Sequence, residues 1–504
     1  MNNLIHITTS DHENNYLYNR IKSHLVYVHP VLKLIISMIN NGEHIDAIVI
    51  DKIHEVFPDC SNEEFFYYKK KYNHWKESCL YDADEKYFHN HTVAMNPLDI
   101  KKQLANINQI VFEVTDDCNL NCYYCGYGQL YDFYDKRDKV NLEKEKAFNL
   151  IDYLSDLWNS SFNTSHGKTI YISFYGGEPL MNVPLIQDII EYLKTKKLKH
   201  CTIKYSMTTN AVLLKKYIDF LIKYDFDILV SIDGDRYNNS YRVFKNNSSS
   251  FGLVYESVKY VKNKYPDYFS KKVAFNSVLH NRNSVNDIYF FVKKHFDKIP
   301  SIGELNLMGV RNDKKNDFFK SYRNIVESLH QQEDYSMLEQ DMFVGLPDSK
   351  SMVYFLYRYT GNHFRYFNDF FANKDRISYY PTGTCFPFSR KVFLTTSGKI
   401  LQCERIPHKF SLGKIDEFGV SLDFDLIAKQ LGILYSKIVK QCMECYRSDG
   451  CSQCIFYLTD IDYSEKCPGF TNKQMLETYF GRSIYRLENN SSEYARIVNE
   501  ITLL

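Results

Sequence analysis

The chain has 504 residues, of which 44% are hydrophobic and 24% charged, and this length and balance predict a folded protein of about two or three domains. A formal net charge of +1 excludes nucleic acid as a primary partner, and no run reaches the ~18 apolar residues of a membrane span. The first residues lack a basic segment followed by an apolar run, so we expect a cytoplasmic protein. Ten of the thirteen cysteines lie in two regions with metal-ligand spacing, which favours metal binding over disulfides.

Residues 1–105 predict a small module of strands followed by helices. Aromatic and β-branched residues around a polar middle predict a hairpin over residues 16–28. Pro30 can open a helix, and Ser61 with Glu64 forms a capping box at the start of another. The apolar face of the first helix is then Val31, Leu34, Ile35 and Met38. This order favours a winged-helix-like fold.

Residues 106–311 alternate strand-like and helix-like segments, which predicts an α/β fold with a parallel sheet. The predicted strands are 110–115, 169–175, 203–208, 226–232, 272–279 and 304–310. The apolar faces of three intervening helices are Ala147, Leu150, Ile151 and Leu154, then Ile186, Ile189, Ile190 and Leu193, then Leu214, Ile218 and Leu221. Six units are too few to close an eight-stranded barrel, so we expect an open, partial (β/α)6 barrel with its site at the carboxyl ends of the strands.

Cys118, Cys122 and Cys125 follow the first of these strands as C-x3-C-x2-C. Three thiolates this close can hold three irons of a 4Fe-4S cluster and leave the fourth iron open to a small molecule. With Tyr124 before the last cysteine, the pattern resembles the signature of the radical S-adenosylmethionine (SAM) enzymes. In that family the open iron binds SAM, which one electron cleaves to a 5'-deoxyadenosyl radical. A fragment of a zinc site is the alternative, but zinc needs four ligands and no fourth Cys or His follows nearby.

The next strand ends carry motifs that the same resemblance assigns to SAM binding. Gly176, Gly177 and Glu178 match the family's GGEP motif, which implies that Glu178 and nearby backbone receive the ammonium group of SAM. Asn210 lies in a segment similar to the family's T-N-G turn, with Ala211 in place of the glycine.

The segment after the fourth strand carries Ser231, Asp233 and Arg242, and similar family segments use the Ser and Arg positions to hold the carboxylate of SAM. A turn residue is the alternative role for Asp233, and a surface salt bridge is the alternative for Arg242. Asn276, on the fifth strand, is a candidate polar contact beside the adenine, and the alternative is a strand Asn whose hydrogen bonds are satisfied by its neighbours.

A second cysteine region resembles the SPASM domain, the auxiliary-cluster extension of radical SAM peptide maturases. Its thiols are Cys385, Cys403, Cys442, Cys445, Cys451, Cys454 and Cys467. Gly398 fits a hairpin turn that would bring Cys385 and Cys403 toward one another. By resemblance, Cys442, Cys445, Cys451 and Cys467 complete an outer 4Fe-4S cluster, and Cys385, Cys403 and Cys454 bind an inner one. Two clusters offer eight iron sites for seven cysteines, so one iron is left for a substrate thiolate or a non-cysteine ligand. The remaining Cys60, Cys79 and Cys201 are expected to be structural thiols.

The expected organisation is a peptide-recognition module (1–105), a radical SAM core (106–311), a helical bridge (312–384), a SPASM domain (385–480) and a C-terminal helix (481–504). The first module resembles the leader-peptide recognition element of peptide-modifying enzymes, with a structural cap as the alternative. The resemblance implies a maturase that uses SAM and three 4Fe-4S clusters to install a thioether or carbon–carbon crosslink in a ribosomally made precursor peptide. Flavodoxin or ferredoxin would supply electrons. The alternatives are an anaerobic sulfatase-maturing enzyme that forms formylglycine and a zinc-binding scaffold without catalysis.

Overall fold

The computed structural model describes residues 5–10, 12–19, 24–78, 80, 93–164, 167–199, 201–331, 335–360, 380–447, 450–458 and 467–501. They form two compact units. The terminal unit comprises Met1–Val93, Leu346–Thr384 and Ile433–Leu504, and the barrel unit comprises Ala94–Gly345 and Cys385–Gly432. Both units therefore contain parts of the second cysteine region. None of the helices in the described ranges is long and apolar enough to cross a membrane.

The terminal unit begins with a three-stranded antiparallel sheet and three helices. They are β1 (Ile5–Thr9), β2 (Asn15–Asn19), β3 (His24–Val28), α1 (Pro30–Asn40), α2 (Ile50–His54) and α3 (Asn62–Glu77). The predicted hairpin is confirmed, since β2 pairs with β3. Pro30 lies in the first turn of α1, and Ser61 Oγ accepts a hydrogen bond from Glu64 N at 3.1 Å. Val31 and Ile35 of α1 are buried against Phe65 of α3, so the predicted helix face forms a core.

The barrel unit consists mainly of repeated strand and helix pairs. Its elements are α4 (Pro97–Ala105), β4 (Gln109–Thr115), α5 (Lys144–Trp158), β5 (Lys168–Gly176), α6 (Val183–Lys194), β6 (Cys201–Thr209), α7 (Leu214–Lys223), β7 (Asp227–Ser231), α8 (Phe251–Lys264), α9 (Pro266–Lys272), β8 (Val273–Leu279), α10 (Val285–Phe296), β9 (Ser301–Glu304), α11 (Lys315–Ser321), α12 (Ile325–His330), α13 (Tyr335–Met342), β10 (Lys391–Leu394), β11 (Lys399–Leu401), β12 (Gly413–Asp416) and β13 (Gly419–Ser421).

Six parallel strands, β4 to β9 in chain order, form one sheet, and β4 to β8 match the first five predicted strands. The apolar faces expected of α5, α6 and α7 are buried. Beyond the prediction, β10 pairs with β4 in parallel, and β11, β12 and β13 extend that side in antiparallel. The chain thus adds four strands from its C-terminal half to the open edge of the sheet.

The predicted sixth strand, residues 304–310, is wrong in position, because β9 ends where that prediction begins. Gly309 has a positive φ of +76°, which a strand does not use. Leu305 instead packs in a core cluster with Tyr131 and Phe318, and Val310 forms an isolated bridge with Tyr131. The apolar run therefore folds as a loop against the cysteine segment, in which Leu305 is buried and Leu307 is exposed.

The rest of the terminal unit is helical. Its helices include α14 (Pro347–Phe355), a π-helical turn (Leu356–Thr360), the later part of α15 (Phe424–Glu444), α16 (Lys473–Asn489) and α17 (Ser491–Glu500). The predicted single C-terminal helix is thus two helices that meet at Asn490. Glu488 of α16 accepts hydrogen bonds from Asn14 Nδ2 at 2.8 Å and Tyr16 Oη at 2.6 Å. The N-terminal sheet and the C-terminal helices consequently fold as one body.

Candidate cofactor site at the carboxyl ends of the barrel strands

The C-x3-C-x2-C segment lies in the loop between β4 and α5. Burial raises the pKa of Cys122 to about 12 and that of Cys118 to about 11, and the nearby Cys125 adds to both shifts. The three thiols are therefore close enough to interact electrostatically. Binding to a metal would offset these shifts, since a coordinated thiol is deprotonated. Within the described ranges, no three His, Cys, Asp or Glu side chains are grouped to hold a single metal ion, as a zinc site requires. A cluster needs wider spacing because each thiolate binds a different iron.

Hydrogen bonds fix the course of this loop. Asn121 N donates to Val243 O at 2.7 Å, and Tyr123 N donates to Tyr241 O at 3.1 Å. The sulfur of Cys118 accepts a hydrogen bond from Leu120 N at 3.4 Å. Amide donors to sulfur are one of the means by which proteins tune iron–sulfur clusters. The loop is thus anchored to the segment after β7 while its thiols stay together.

Gly176 and Gly177 allow the loop after β5 to pass directly against the residues that lead into the cysteines. Gly176 has φ +132°, and a Cβ there would lie 2.1 Å from Thr115 O. A Cβ on Gly177 would lie 1.8 Å from Asp117 O, closer than any real contact. Gly177 N and Glu178 N donate to these same carbonyls at 2.8 and 2.9 Å. The two glycines are therefore required by a close backbone approach next to Cys118.

Glu178 is buried and links the ends of β5 and β6. Its Oε1 accepts hydrogen bonds from Leu180 N at 3.1 Å and Thr209 Oγ1 at 2.7 Å, and its Oε2 accepts one from Asn210 N at 2.7 Å. Burial raises the pKa of Glu178 to about 7, although these hydrogen bonds oppose the shift. With three of its roughly four acceptor positions used, the carboxyl group acts chiefly as a support for the turn.

Asn210 connects that turn to the cysteine loop. Its Nδ2 donates to Asn119 Oδ1 at 2.7 Å and lies 3.7 Å from Cys118 Sγ. Ala211 has φ +61°, so the left-handed conformation that a glycine would favour is kept without one. The T-N-G-like turn therefore has the left-handed conformation at this position although the residue is alanine.

Asp233 and Arg242 form a buried ion pair. Arg242 Nε lies 2.9 Å from Asp233 Oδ2, and Nη2 lies 3.1 Å from Oδ1. Asp233 also accepts hydrogen bonds from Val278 N at 2.9 Å and from the hydroxyl of Tyr124. Burial opposes ionisation, but Arg242 and His280 lower the pKa of Asp233 well below its usual value. The fully buried carboxylate thus orients both Arg242 and Tyr124, and the surface salt bridge considered for Arg242 is wrong.

These groups surround a cavity of about 880 Å³, within the size range of ligand sites. The predicted residues on its wall are Cys118, Cys122, Tyr124, Cys125, Gly176, Gly177, Glu178, Asn210, Ser231, Arg242 and Asn276. Asp233 lies behind Arg242 and is not among the lining residues. Three converging thiols beside a fixed guanidinium suit a cluster that carries a ligand with a carboxylate group.

The sequence reasoning missed a second buried acid beside the cysteine loop. Glu113 of β4 accepts hydrogen bonds from Tyr127 Oη at 3.0 Å and Thr396 N at 3.0 Å, and burial raises its pKa. The Arg137 guanidinium lies 4.1 Å from the centre of the Tyr127 ring and interacts with Cys118 and Cys125. An acid inside the buried strand IVFEVT was a signal for such a site, but no motif marks Arg137.

Four cysteines of the second region converge in the terminal unit. Cys445 and Cys467 both add to the raised pKa values of Cys442 and Cys451, for which burial is the main cause. Thr471 N donates to Cys445 Sγ at 3.3 Å, as Gln453 N does to Cys451 Sγ at 3.4 Å. These four are the thiols that the SPASM resemblance assigns to the outer cluster. Cys454, in the same unit, precedes a short 3-10 turn, Ile455–Tyr457.

Cys385 and Cys403 belong to the barrel unit and flank the β10–β11 hairpin. Gly398 has φ +84° in its turn, as predicted. Gln402 Nε2 donates to Cys385 O at 3.2 Å, so the two cysteines approach one another. Cys60 is buried in the terminal unit and Cys201 is half-buried, whereas Cys79 lies outside the described residues. The inner set of three thiols stays a prediction.

Comparison with known proteins yields one family. Residues 112–293 match the family model of the Radical SAM superfamily. The uncharacterized protein MJ0907 of Methanocaldococcus jannaschii is 29% identical over 40% of this chain and 69% of its own length. The radical SAM cyclopropyl synthase TigE of Paramaledivibacter caminithermalis is 28% identical over 45% of each chain. A cysteine-type anaerobic sulfatase-maturating enzyme of Clostridium novyi is 25% identical over 38% of this chain and 49% of its own.

A similar solved structure is native anSMEcpe with bound AdoMet. It has a TM-score of 0.51 and 17% sequence identity, and the match covers 78% of this chain and all of that one. This likeness supports the fold. The matches to TigE and to the sulfatase-maturating enzyme span about half of those relatives.

Proposed function

Residues 112–293 are a radical SAM domain, and on that premise we propose that this enzyme installs a thioether or carbon–carbon crosslink in a ribosomally made peptide. One observation carries the proposal. Three thiols of one loop and a guanidinium fixed by Asp233 face the same cavity, at the carboxyl ends of the barrel strands. This is the arrangement that a cluster with SAM on its open iron needs.

Each residue of the site has a separate role in this proposal. Cys118, Cys122 and Cys125 hold three irons, and Arg242 binds the carboxylate of SAM. Tyr124 is held by its hydrogen bond to Asp233 and forms part of the wall. Glu178 supports the turn whose backbone receives the ammonium group. The bound cofactors supply a one-electron cleavage of SAM and a 5'-deoxyadenosyl radical, and the protein's share is to orient the target C–H bond.

The peptide reaction also accounts for the second cysteine region. Removal of a hydrogen atom from a carbon of the peptide leaves a radical that bonds to a nearby sulfur or carbon. The new bond would release one proton and one electron, and auxiliary clusters would supply an acceptor for that electron, so the peptide would lose two hydrogens in all. The convergent Cys442, Cys445, Cys451 and Cys467 support an outer cluster, and the inner cluster would use Cys385, Cys403 and Cys454. Flavodoxin or ferredoxin would deliver the electron that cleaves SAM.

Formation of formylglycine is the second candidate, because a sulfatase-maturating enzyme is among the similar sequences. Reconstituted enzyme, SAM and a reductant should be incubated with candidate precursor peptides and with peptides that carry a sulfatase-type Cys. A peptide lighter by two hydrogens with an internal link supports the crosslinking reaction. An aldehyde product would instead assign the enzyme to sulfatase maturation. Zinc without iron and sulfide in anaerobically purified protein would eliminate both.

The N-terminal sheet is proposed to bind the leader of the peptide. β3 is an edge strand of its sheet, and edge strands can pair with an added peptide strand. Deleting residues 1–105 would strip α16 of its contacts to Asn14 and Tyr16, so a point change is preferable. Val26→Pro should remove a donor from β3 and lower peptide turnover more than uncoupled SAM cleavage. Equal loss of both activities would favour the structural-cap alternative.

A further inference from the structure

The cavity of the barrel unit is longer than the cofactor site. Its wall runs from the cysteine loop to Gln109, Asp227 and Lys391, which are the first residues of β4, β7 and β10. The cavity therefore extends to the amino ends of the parallel strands. We call this second end, lined by Gln109, Asp227, Lys271, Lys272, Lys298, Lys391 and Glu404, the amino-end mouth.

The lining of the whole cavity is strongly cationic although the chain has a net charge of only +1. Seven Lys and Arg side chains but three acids line it. Arg137 and Arg242 lie near the cysteines, where thiolates would balance them. Lys271, Lys272, Lys298 and Lys391 lie at the amino-end mouth, with Asp227 and Glu404 as the acids there. Arg405 lies on the cysteine side, because its carbonyl accepts a hydrogen bond from Tyr134, which lies against Gly126 of the cysteine loop. The excess positive charge is thus concentrated away from the cofactors.

Two of these lysines form no ion pair with an acid in the described ranges. Lys272 pairs with Asp225 at 2.7 Å and Asp227 at 3.2 Å, and Lys391 lies 3.1 Å from Glu404. For Lys271 and Lys298, no carboxylate oxygen of the described residues lies within 4.0 Å of Nζ. Burial lowers the pKa of the half-buried Lys298, which donates to Ser270 O. A partly desolvated cation such as Lys298 is a binding group for an anion, and the exposed Lys271, next to Ser270 in the chain, adds a second positive charge.

A row of polar side chains crosses the wall between the mouth and the cofactor site. Gln109 Nε2 donates to Ser173 Oγ at 2.7 Å, and Ser173 Oγ lies 2.6 Å from Ser206 Oγ, so a polar row crosses three strands. Ala274 on β8 is a small residue exposed to this space. Such a wall can accept the polar backbone of an extended chain, which an apolar barrel interior could not.

We propose that Lys271 and Lys298 bind a carboxylate of the substrate peptide while the residue to be modified lies beside the cofactor. This inference rests on the function proposed above. From Lys272 to Asn276 the wall spans four strand residues, or about 13 Å at ~3.3 Å each. An extended peptide covers the same distance in about four residues. The substrate is thus an acidic peptide whose carboxylate lies about four residues from the modified position.

Binding can be tested without knowing the natural peptide. Ten-residue alanine–serine peptides with capped termini, one carrying two adjacent aspartates and one two asparagines, are titrated calorimetrically into the reconstituted enzyme with SAM. We expect the aspartate peptide to bind about tenfold more tightly, with the preference lost in Lys271→Gln/Lys298→Gln. Lys294→Gln removes an exposed lysine of α10 outside the cavity and should keep the preference. A third peptide, whose single carboxylate is its free C-terminus, distinguishes a chain end from a side chain.

Two outcomes would overturn the inference. Equal affinity for the aspartate and asparagine peptides would exclude carboxylate recognition, and a preference that survives Lys271→Gln/Lys298→Gln would place it elsewhere. If the double variant instead slows reduction by flavodoxin and leaves peptide preference intact, the lysines serve the electron donor and the inference is wrong. Deoxyadenosine production from SAM and dithionite without peptide reports on the proposed function separately, since these lysines lie away from the cysteines.

Discussion

Asp233→Asn is expected to be the most damaging isosteric change in the barrel unit. It removes the carboxylate that pairs with the buried guanidinium of Arg242, while the side chain keeps almost the same shape. Breaking one partner of a buried, hydrogen-bonded ion pair costs about 3–5 kcal/mol. For a unit of this size the loss corresponds to a fall in Tm of roughly 10 °C. Because Arg242 also loses its fixed orientation, KM for SAM should rise more than kcat falls.

Thermal unfolding of the reconstituted protein measures the first effect, and deoxyadenosine production against SAM concentration measures the second. Asp235→Asn is the matched control, since Asp235 is exposed and its Oδ1 only accepts from Tyr237 N and Asn238 N. The double change Asp233→Asn/Arg242→Met should recover part of the lost stability, because it removes the stranded charge. An unchanged Tm in Asp233→Asn would refute the reasoning.

The pH dependence of this effect follows from the lowered pKa of Asp233. The pKa of Asp233 is lower in the folded state than in the unfolded state, where it is about 3.9. The stability that this shift contributes is fully present above about pH 3.9 and is lost as the pH falls through the folded-state pKa. Between pH 6 and 8 the carboxylate is charged in both states. The difference in Tm between the wild type and Asp233→Asn should therefore stay constant over that range.

Three further changes test other parts of the site. Gly177→Ala should prevent cluster binding and lower the iron content, because the added Cβ would lie 1.8 Å from Asp117 O. The control is Gly252→Ala, where a Cβ would have no atom within 4 Å. This control should keep the iron content and leave Tm unchanged or slightly raised. Since burial raises the pKa of Glu178 to about 7, wild-type stability relative to Glu178→Gln should fall as pH rises from about 4 toward 7, and a rise would contradict this account. Replacing Cys442, Cys445, Cys451 and Cys467 by Ala should remove about four irons per chain and spare SAM cleavage, whereas Ala at Cys118, Cys122 and Cys125 should abolish cleavage and leave the auxiliary absorbance.

Local patterns in the sequence predicted the elements that local interactions decide. The helix faces of α5, α6 and α7 follow from apolar spacing alone, and the cysteine and glycine motifs fall at the carboxyl ends of the strands because parallel strands end at one edge. The turn at Gly398 was predictable for the same reason, since a hairpin needs a residue that tolerates positive φ.

Contacts between distant segments decided what the sequence could not predict. The role of Asp233 depends on Tyr124, 109 positions earlier, and on Val278, 45 positions later. The pairing of β10 with β4 joins Lys391 to Gln109, and no local pattern marks that register. Similarly, Arg137 has no neighbouring motif, and its place near the thiols follows only from the folded loop.

The central claim is that Cys118, Cys122 and Cys125 hold a cluster with one iron open to SAM. Electron paramagnetic resonance of the reduced enzyme tests it most directly, in a variant with Ala at Cys442, Cys445, Cys451 and Cys467 so that fewer clusters contribute. The account predicts a 4Fe-4S signal that shifts when SAM is added and is absent when the three loop cysteines are replaced. A spectrum in which no cluster signal responds to SAM would contradict the claim.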